Sequence, residues 1–248
     1  METTTPARPG IRTEIILVLG LSLGASAVYS VVSLVAKLTA GKALADQSAT
    51  LNASQAPGRP WLDLTYQLLG IGFAVLPAFF AVHLLRRDDP DALRTTRRPV
   101  FDLVTGAGLA ALIGIPGLAL YIGARALGLN ASVVPAALPE VWWAVPVLIL
   151  AAVQNAVLEE VVVVGYLMTR LRELRMRLPL VIATSALLRG SYHLYQGFGA
   201  FVGNAIMGLV FGYLYSRTRR VWPLIIAHAL LDIVAFVGWT LGGNKLVH

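Results

Sequence analysis

The chain has 248 residues, of which 57% are hydrophobic and 13% charged, and its mean hydropathy is +0.72. This balance excludes an ordinary soluble domain and defines an integral membrane protein. The net charge of +7 falls in short arginine clusters at the ends of apolar runs, so it reads as membrane topology and no nucleic-acid partner is expected, while the lack of cysteine excludes disulfides, thiolate nucleophiles and thiolate metal sites.

In chain order, residues 1–12 are polar and proline-containing and are expected to form a mobile N-terminal tail. A first span runs from Ile15 to Val35. Within it Ala25-Ser26-Ala27 has the form of a signal-peptidase site, but the apolar sequence continues to Val35, which favours a retained helix. After a linker over Lys37 to Pro60, a second span covers Trp61 to Leu85 and ends on Arg86 and Arg87. The loop to Pro99 adds Arg94, Arg97 and Arg98, and a third span covers Val100 to Ala124. The loop from Arg125 to Glu140 carries one basic residue. A fourth span follows Trp142 and Trp143 and runs to Thr169, ahead of Arg170, Arg172, Arg175 and Arg177. Pro179 to Tyr195, Phe198 to Tyr215 and Trp222 to Leu241 complete an all-α, polytopic fold of about seven transmembrane helices. The organisation read from this pattern is a tail (1–12), three N-terminal helices with their loops (13–140) and a four-helix core (141–243).

The basic clusters after spans two, four and six fall on one side, which the positive-inside rule makes cytoplasmic. The N-terminus is then cytoplasmic and the C-terminus outside, in a protein expected at the cell membrane. The first three spans are read as lacking buried charge and the last four as holding it. Tyr192, Tyr195 and the tryptophans are read as interfacial belt residues, and His83 as a snorkelling side chain near Arg86.

The anomaly is Glu159 and Glu160, two adjacent carboxylates inside an apolar run. A charge at the bilayer centre costs about 2.5–3.5 kcal/mol or more by insertion scales, so the pair requires partners. At ~1.5 Å per residue Glu159 lies about 16 Å from Arg170, near mid-membrane. Arg189 and His193 on the fifth span, and His228 and Asp232 on the seventh, fall in the same slab. Each pair is spaced by four residues, as are Asn155 and Glu159, so three helices offer polar stripes that should turn toward one another or a wet cavity. Arg189 can neutralise one carboxylate, and a carboxylate with an imidazole can activate water for attack on a carbonyl. His228, positioned by Asp232, can donate to the developing oxyanion.

Three stretches, E-E-V-V-V-V-G-Y-L at 159–167, S-Y-H-L-Y-Q-G at 191–197 and A-H-A-L-L-D at 227–232, resemble the motifs of the CPBP family of membrane CAAX proteases and bacteriocin-processing or immunity proteins. The resemblance covers Val141 to Val237. It implies an intramembrane glutamic endopeptidase acting on a membrane-associated peptide or protein, with Glu159 and His193 activating water, and His228 and Asp232 forming the oxyanion site. Where the family pattern has an arginine this chain has Val164, and where it has a phenylalanine this chain has Arg189. We read the two departures as one relocated ion pair between Arg189 and Glu160, with Asn155 as a supporting group. No cofactor is expected. A zinc-dependent peptidase using Glu159, His193 and His228, a non-catalytic scaffold or immunity-type protein, and a proton-coupled transporter are the alternative readings.

Overall fold

The computed structural model describes residues 10–93 and 98–242. Most of the expected tail, and Arg94 and Arg97 of the basic loop, therefore lie outside the described residues. Ile11 and Arg12 already belong to the first helix, α1 (Ile11–Gly20), which leads into α2 (Leu23–Leu38) through a bend of 52°. Gly20 and Ser22 sit at the bend, where the Ser22 hydroxyl donates back to the Val18 carbonyl at 2.6 Å, a local bond that competes with helix continuation. Next come α3 (Pro60–Ala74) and α4 (Leu76–Asp88), broken at Val75 just before Pro77, whose ring lacks the amide that would continue the ladder. They are followed by α5 (Pro99–Ala126), α6 (Ala144–Glu159), a π-helical turn over Glu160–Tyr166 and α7 (Leu167–Glu173). The chain finishes with α8 (Leu178–Ser191), α9 (Phe198–Thr218) and α10 (Trp222–Leu241).

Among the described residues five helical segments are long and apolar enough to cross a membrane, and six if the bent pair α1–α2 is one span. The difference from the expected seven lies in Pro179 to Tyr195. Only α8 is regular there, and its 14 residues reach about 21 Å, short of a ~30 Å hydrocarbon core. The fold is also not purely helical. The two segments read as irregular loops pair as a small parallel sheet, β1 (Ser48–Ala53) with β2 (Ser132–Ala137), in the register Ser48 opposite Ser132. Pairing between strands so far apart in sequence leaves no local signature, and Pro135 is tolerated because the ribbon consists of edges.

The outside of the bundle is apolar. On α5, Leu112 is 65% and Ile115 76% exposed, areas that lipid rather than water would cover. Charge was expected to be buried only in the last four spans, yet Asp63 of α3 and Asp102 of α5 are also buried. Both lie in the first turn of their helix, beside polar sequence, where backbone amides and side chains can reach a carboxylate oxygen. Asp63 accepts from the Gln55 amide at 2.7 Å, and Asp102 pairs with Arg220 at 2.7 and 2.8 Å.

One end of the bundle is held by Arg170, which the sequence suggests is simply cytoplasmic and which is instead 1% exposed. Its guanidinium donates to Glu14 at 2.7 Å, to Glu173 at 3.0 Å and to the Leu84 carbonyl at 3.0 Å, and pairs with Asp88 at 2.8 Å. The start of α1, the end of α4 and the end of α7 therefore meet at this residue, and the Asp102–Arg220 pair joins the start of α5 to the α9–α10 turn. The sheet marks the opposite end. There Asn130 accepts from the amides of Gly199 and Ala200, capping α9 from a distant loop.

Small residues bring α8 and α9 together. A Cβ on Gly208 would lie 2.8 Å from the Ala186 Cα and 3.3 Å from the Arg189 Cδ, so this glycine makes room both for the helix and for the arginine stem. Gly208→Ala should lower the detergent-solubilised melting temperature, with overpacking of about 1–3 kcal/mol. Gly108→Ala, which meets nothing within 4 Å, should leave it unchanged or raise it. Equal melting temperatures for the two variants would contradict the packing described.

Candidate active site

The helix carrying the two glutamates changes pitch where they sit. From Glu160 to Tyr166 the chain follows π-helical hydrogen bonding, and Val161 to Val164 are all 5% exposed or less. Short π segments within α-helices occur frequently at functional sites, since the wider turn re-aims side chains. Across this junction Glu159 and Glu160 face different surroundings. Glu160 is wholly buried, whereas Glu159 lies on the wall of a cavity of about 520 Å³.

Arg189 on α8 connects them. Its Nη1 and Nη2 donate to the two oxygens of Glu160 at 3.1 and 2.5 Å, and Nη2 also donates to Glu159 Oε2 at 3.1 Å. Neutralisation of one carboxylate was expected, but the guanidinium bridges both. Its apolar face covers the Phe211 ring at 5.3 Å. Val164 is completely buried and carries no charge, so within the described cluster Arg189 is the cation facing Glu160.

His228 on α10 completes the buried side. Its Nδ1 lies 2.7 Å from Glu160 Oε1 and 3.0 Å from Arg189 Nη2. Because Arg189 can only donate, a proton on Nδ1 is best directed to the carboxylate. The other ring nitrogen then points toward Asp232, whose Oδ2 is 3.7 Å from Nε2, beyond hydrogen-bond distance.

His193 was expected one helical turn beyond Arg189 on the same face. In fact α8 ends at Ser191, and His193 lies in the turn that follows. That turn is pinned on both sides. The Tyr195 amide donates to Ser30 of α2 at 2.7 Å, and the Phe198 amide donates to the Leu129 carbonyl at 2.9 Å. Gly197 has φ of 123°, and a Cβ there would sit 2.5 Å from the Leu129 oxygen, so a side chain is excluded. The His193 ring faces Gln196 at 3.3 Å through Nδ1, and its Nε2 is buried, without a hydrogen bond, 3.9 Å from Glu159 Oε2.

Tyr192 corrects the belt assignment. It is 5% exposed, and its hydroxyl donates to Glu159 Oε2 at 2.8 Å. Trp143 is also buried, while Trp142 and Trp61 remain exposed. The signal available in sequence was that Tyr192 lies three residues after Arg189 and next to His193. Glu159 Oε2 therefore receives both Arg189 and Tyr192, and no hydrogen bond to Oε1 is seen among the described residues. Asn155, His193, His228 and Asp232 line the same cavity as Glu159; Glu160 and Arg189 stand behind it.

One oxygen each of Glu159 and Glu160 and a nitrogen of His228 lie within 4.8 Å of one another, a spacing that could hold a metal ion. In this structure those atoms all face Nη2 of Arg189. The set differs from the zinc triad considered from sequence, since Glu160 stands in it in place of His193.

The class defined by this fold and site is a polytopic helical membrane protein with an acid–base cluster opening onto a polar intramembrane cavity. Residues 141–234, from just before α6 through most of α10, match the family described as type II CAAX prenyl endopeptidase Rce1-like. The match contains all three motif stretches and is consistent with the CPBP and CAAX protease family. It supports a membrane-bound hydrolase, a CAAX-type intramembrane protease, and α1 to α5 lie outside it. No curated protein and no solved structure matches the chain.

Removing the central cation should expose the cost of the buried carboxylates. Arg189→Met is expected to destabilise the protein by roughly 3–5 kcal/mol, as for breaking a buried ion pair from one side. Adding Glu160→Gln to that variant should recover part of the loss, both read from thermal unfolding in detergent. A single variant as stable as the wild type would show that Arg189 is not the compensating charge.

Proposed function

We propose that the chain is an intramembrane endopeptidase in which Glu159 and His193 activate a water molecule for attack on a peptide carbonyl. The observation that supports this most directly is the asymmetry of Glu159. One oxygen, Oε2, accepts from Arg189 and Tyr192 and is also the oxygen that lies 3.9 Å from an unpartnered His193 nitrogen, while the carboxylate borders the cavity. One water at about 2.8 Å from each group would bridge that separation, with Glu159 as general base and His193 orienting it and sharing the proton.

In the same reading His228 serves the developing oxyanion. A doubly protonated ring would donate Nδ1–H to Glu160, which fixes its orientation, and Nε2–H toward the cavity, where Asp232 Oδ2 stands 3.7 Å from it. Glu160 and Arg189 take no direct part; they hold Glu159 and His228 in place, and Asn155 lines the wall beside them. The proton taken from water would pass to the leaving amine, which balances the hydrolysis without another reactant. The substrate is a membrane-associated peptide or protein, and the four-helix segment 141–243 is the catalytic unit.

A metal-assisted variant draws on the clustering of Glu159, Glu160 and His228. It would require Arg189 to withdraw from atoms it now contacts. A chelator distinguishes the two readings.

Purified wild type, Glu159→Gln and His193→Ala should be compared by mass spectrometry against a membrane-peptide library, with and without chelator. Glu159→Gln should fold and lose cleavage by about 10²-fold or more, the range for removing a general base. Tyr192→Phe should retain measurable activity. Full activity of Glu159→Gln would end the proposal, and melting of both Glu159→Gln and His193→Ala well below wild type with no cleavage by any form would favour a scaffold.

A further inference from the structure

We infer that Gln196 is a positioning residue: its carboxamide donates to Nδ1 of His193 and holds the imidazole proton on Nε2, so that Glu159 alone serves as the base and His193 holds the water by donation. The catalytic part rests on the proteolytic reading above and narrows the share of each group in it. The hydrogen bond on which the inference turns is independent of that reading.

The turn after α8 builds this contact from the backbone outward. Leu194–Gln196 is a 3₁₀ turn, a conformation in which side chains three residues apart eclipse, so the His193 ring and the Gln196 side chain come to the same side. The main chain of both residues is fixed. The His193 amide donates to the Gly190 carbonyl at 3.0 Å, the Gln196 amide to the His193 carbonyl at 3.0 Å, and the Gln196 carbonyl accepts from the amide of the buried Ala131 at 2.9 Å. Within that frame Gln196 Nε2 lies 3.3 Å from His193 Nδ1 and 3.0 Å from the Tyr195 hydroxyl oxygen. The Tyr192 ring stands 4.9 Å from the imidazole, tilted by 44°, and limits its rotation.

A carboxamide nitrogen only donates, so the Nδ1 that it faces has to accept. A ring carrying its proton on Nδ1 would set donor against donor. The proton of the neutral ring therefore sits on Nε2, the nitrogen 3.9 Å from Glu159 Oε2. That separation is too long for a direct hydrogen bond and suits one bridging water. Nε2–H can hold the water through its oxygen but cannot take a proton from it, which leaves the proton to Glu159. As the water oxygen bonds to the carbonyl carbon, one water O–H bond breaks toward Glu159, and the same proton later passes to the leaving amine. His228 provides the contrast, since its Nδ1 faces a carboxylate, Glu160, at 2.7 Å. A carboxamide on one Nδ1 and a carboxylate on the other give the two imidazoles opposite assignments. Asp232 lines the same cavity, but among the described residues Gln196 is the hydrogen-bond partner of His193 Nδ1.

The full chain, labelled with 13C and 15N in its four histidines, should be compared by NMR in detergent with Gln196→Met and Gln196→Glu. The His193 signals are those lost in His193→Ala. Wild type should show a bare Nδ1 and a protonated Nε2, and Gln196→Glu, which offers an acceptor in the same place, should show a protonated Nδ1. A wild-type ring protonated at Nδ1 overturns the inference, and so does a Gln196→Glu ring identical to the wild-type one. On a peptide that wild type cleaves in the library assay, Gln196→Met should lower kcat about tenfold with KM unchanged, the factor for one ordinary hydrogen bond. Gln196→Glu should lower kcat by about 10²-fold or more, since a wrong tautomer in a catalytic triad costs about 10⁴. A raised KM with kcat unchanged would place Gln196 on the substrate, and a lowered kcat with wild-type ring signals would mark a purely structural role; either overturns the catalytic part. If Gln196→Met does not fold, the wild-type ring and Gln196→Glu decide alone. Cleavage by no form removes the proteolytic reading and the catalytic part with it, while the ring signals still decide whether Gln196 sets the tautomer.

Discussion

A single guanidinium held between two carboxylates and an imidazole is the constraint on which the arrangement depends. Arg189 touches Glu159, Glu160 and His228, residues from α6, the π turn and α10, so three helices are fixed to one another through one planar cation. In a bilayer the apolar effect does little to choose which helix faces meet, because lipid chains are as apolar as leucine. Buried charge does choose, since a carboxylate facing lipid is costly and one facing Arg189 is compensated. The delocalised fork suits this position better than a lysine would, because it reaches both glutamates while its face lies over Phe211. Gly208 and the close approach of α8 to α9 are needed so that the arginine stem has somewhere to lie.

The adjacent glutamates divide their duties by environment. Successive residues on an ideal helix point about 100° apart, which by itself would aim one carboxylate at the interior and the other at a neighbouring surface. The π turn begins at that junction, and Glu160 faces the buried cation while Glu159 meets the cavity. Tyr192 then holds the outward-facing carboxylate from the same side as Arg189. The result is a carboxylate whose orientation is fixed at Oε2, the oxygen nearest the histidine of a turn that Ser30 and the Leu129–Asn130 segment hold in place.

The two ends of the molecule differ in chemistry. Arg170 and the Asp102–Arg220 pair tie the helix ends together at one surface with charge, while the sheet and Asn130 do so at the other with backbone hydrogen bonds. The polar cavity belongs to the second end only. The glutamate–arginine pair stands behind that cavity in a buried interior, where its interactions are strongest.

Hydropathy alone located the long spans, the arginine clusters and the apolar run carrying Glu159 and Glu160, because a bilayer imposes length and polarity on every segment that crosses it. The same reading singled out Arg189, His193, His228 and Asp232, since ionisable residues in apolar helices are rare enough to stand out. Other features depended on residues distant in sequence. The end of α8 before His193, the burial of Tyr192 and Arg170, and the pairing of β1 with β2 each arise from partners more than thirty positions away, among them Ser30, Glu159, Glu14 and Ser132. A local pattern can state that a tyrosine is amphipathic or an arginine charged, but whether it meets lipid, water or a carboxylate is fixed only when another helix is packed against it. The π turn was likewise not legible, because a run of four valines is compatible with ordinary helix.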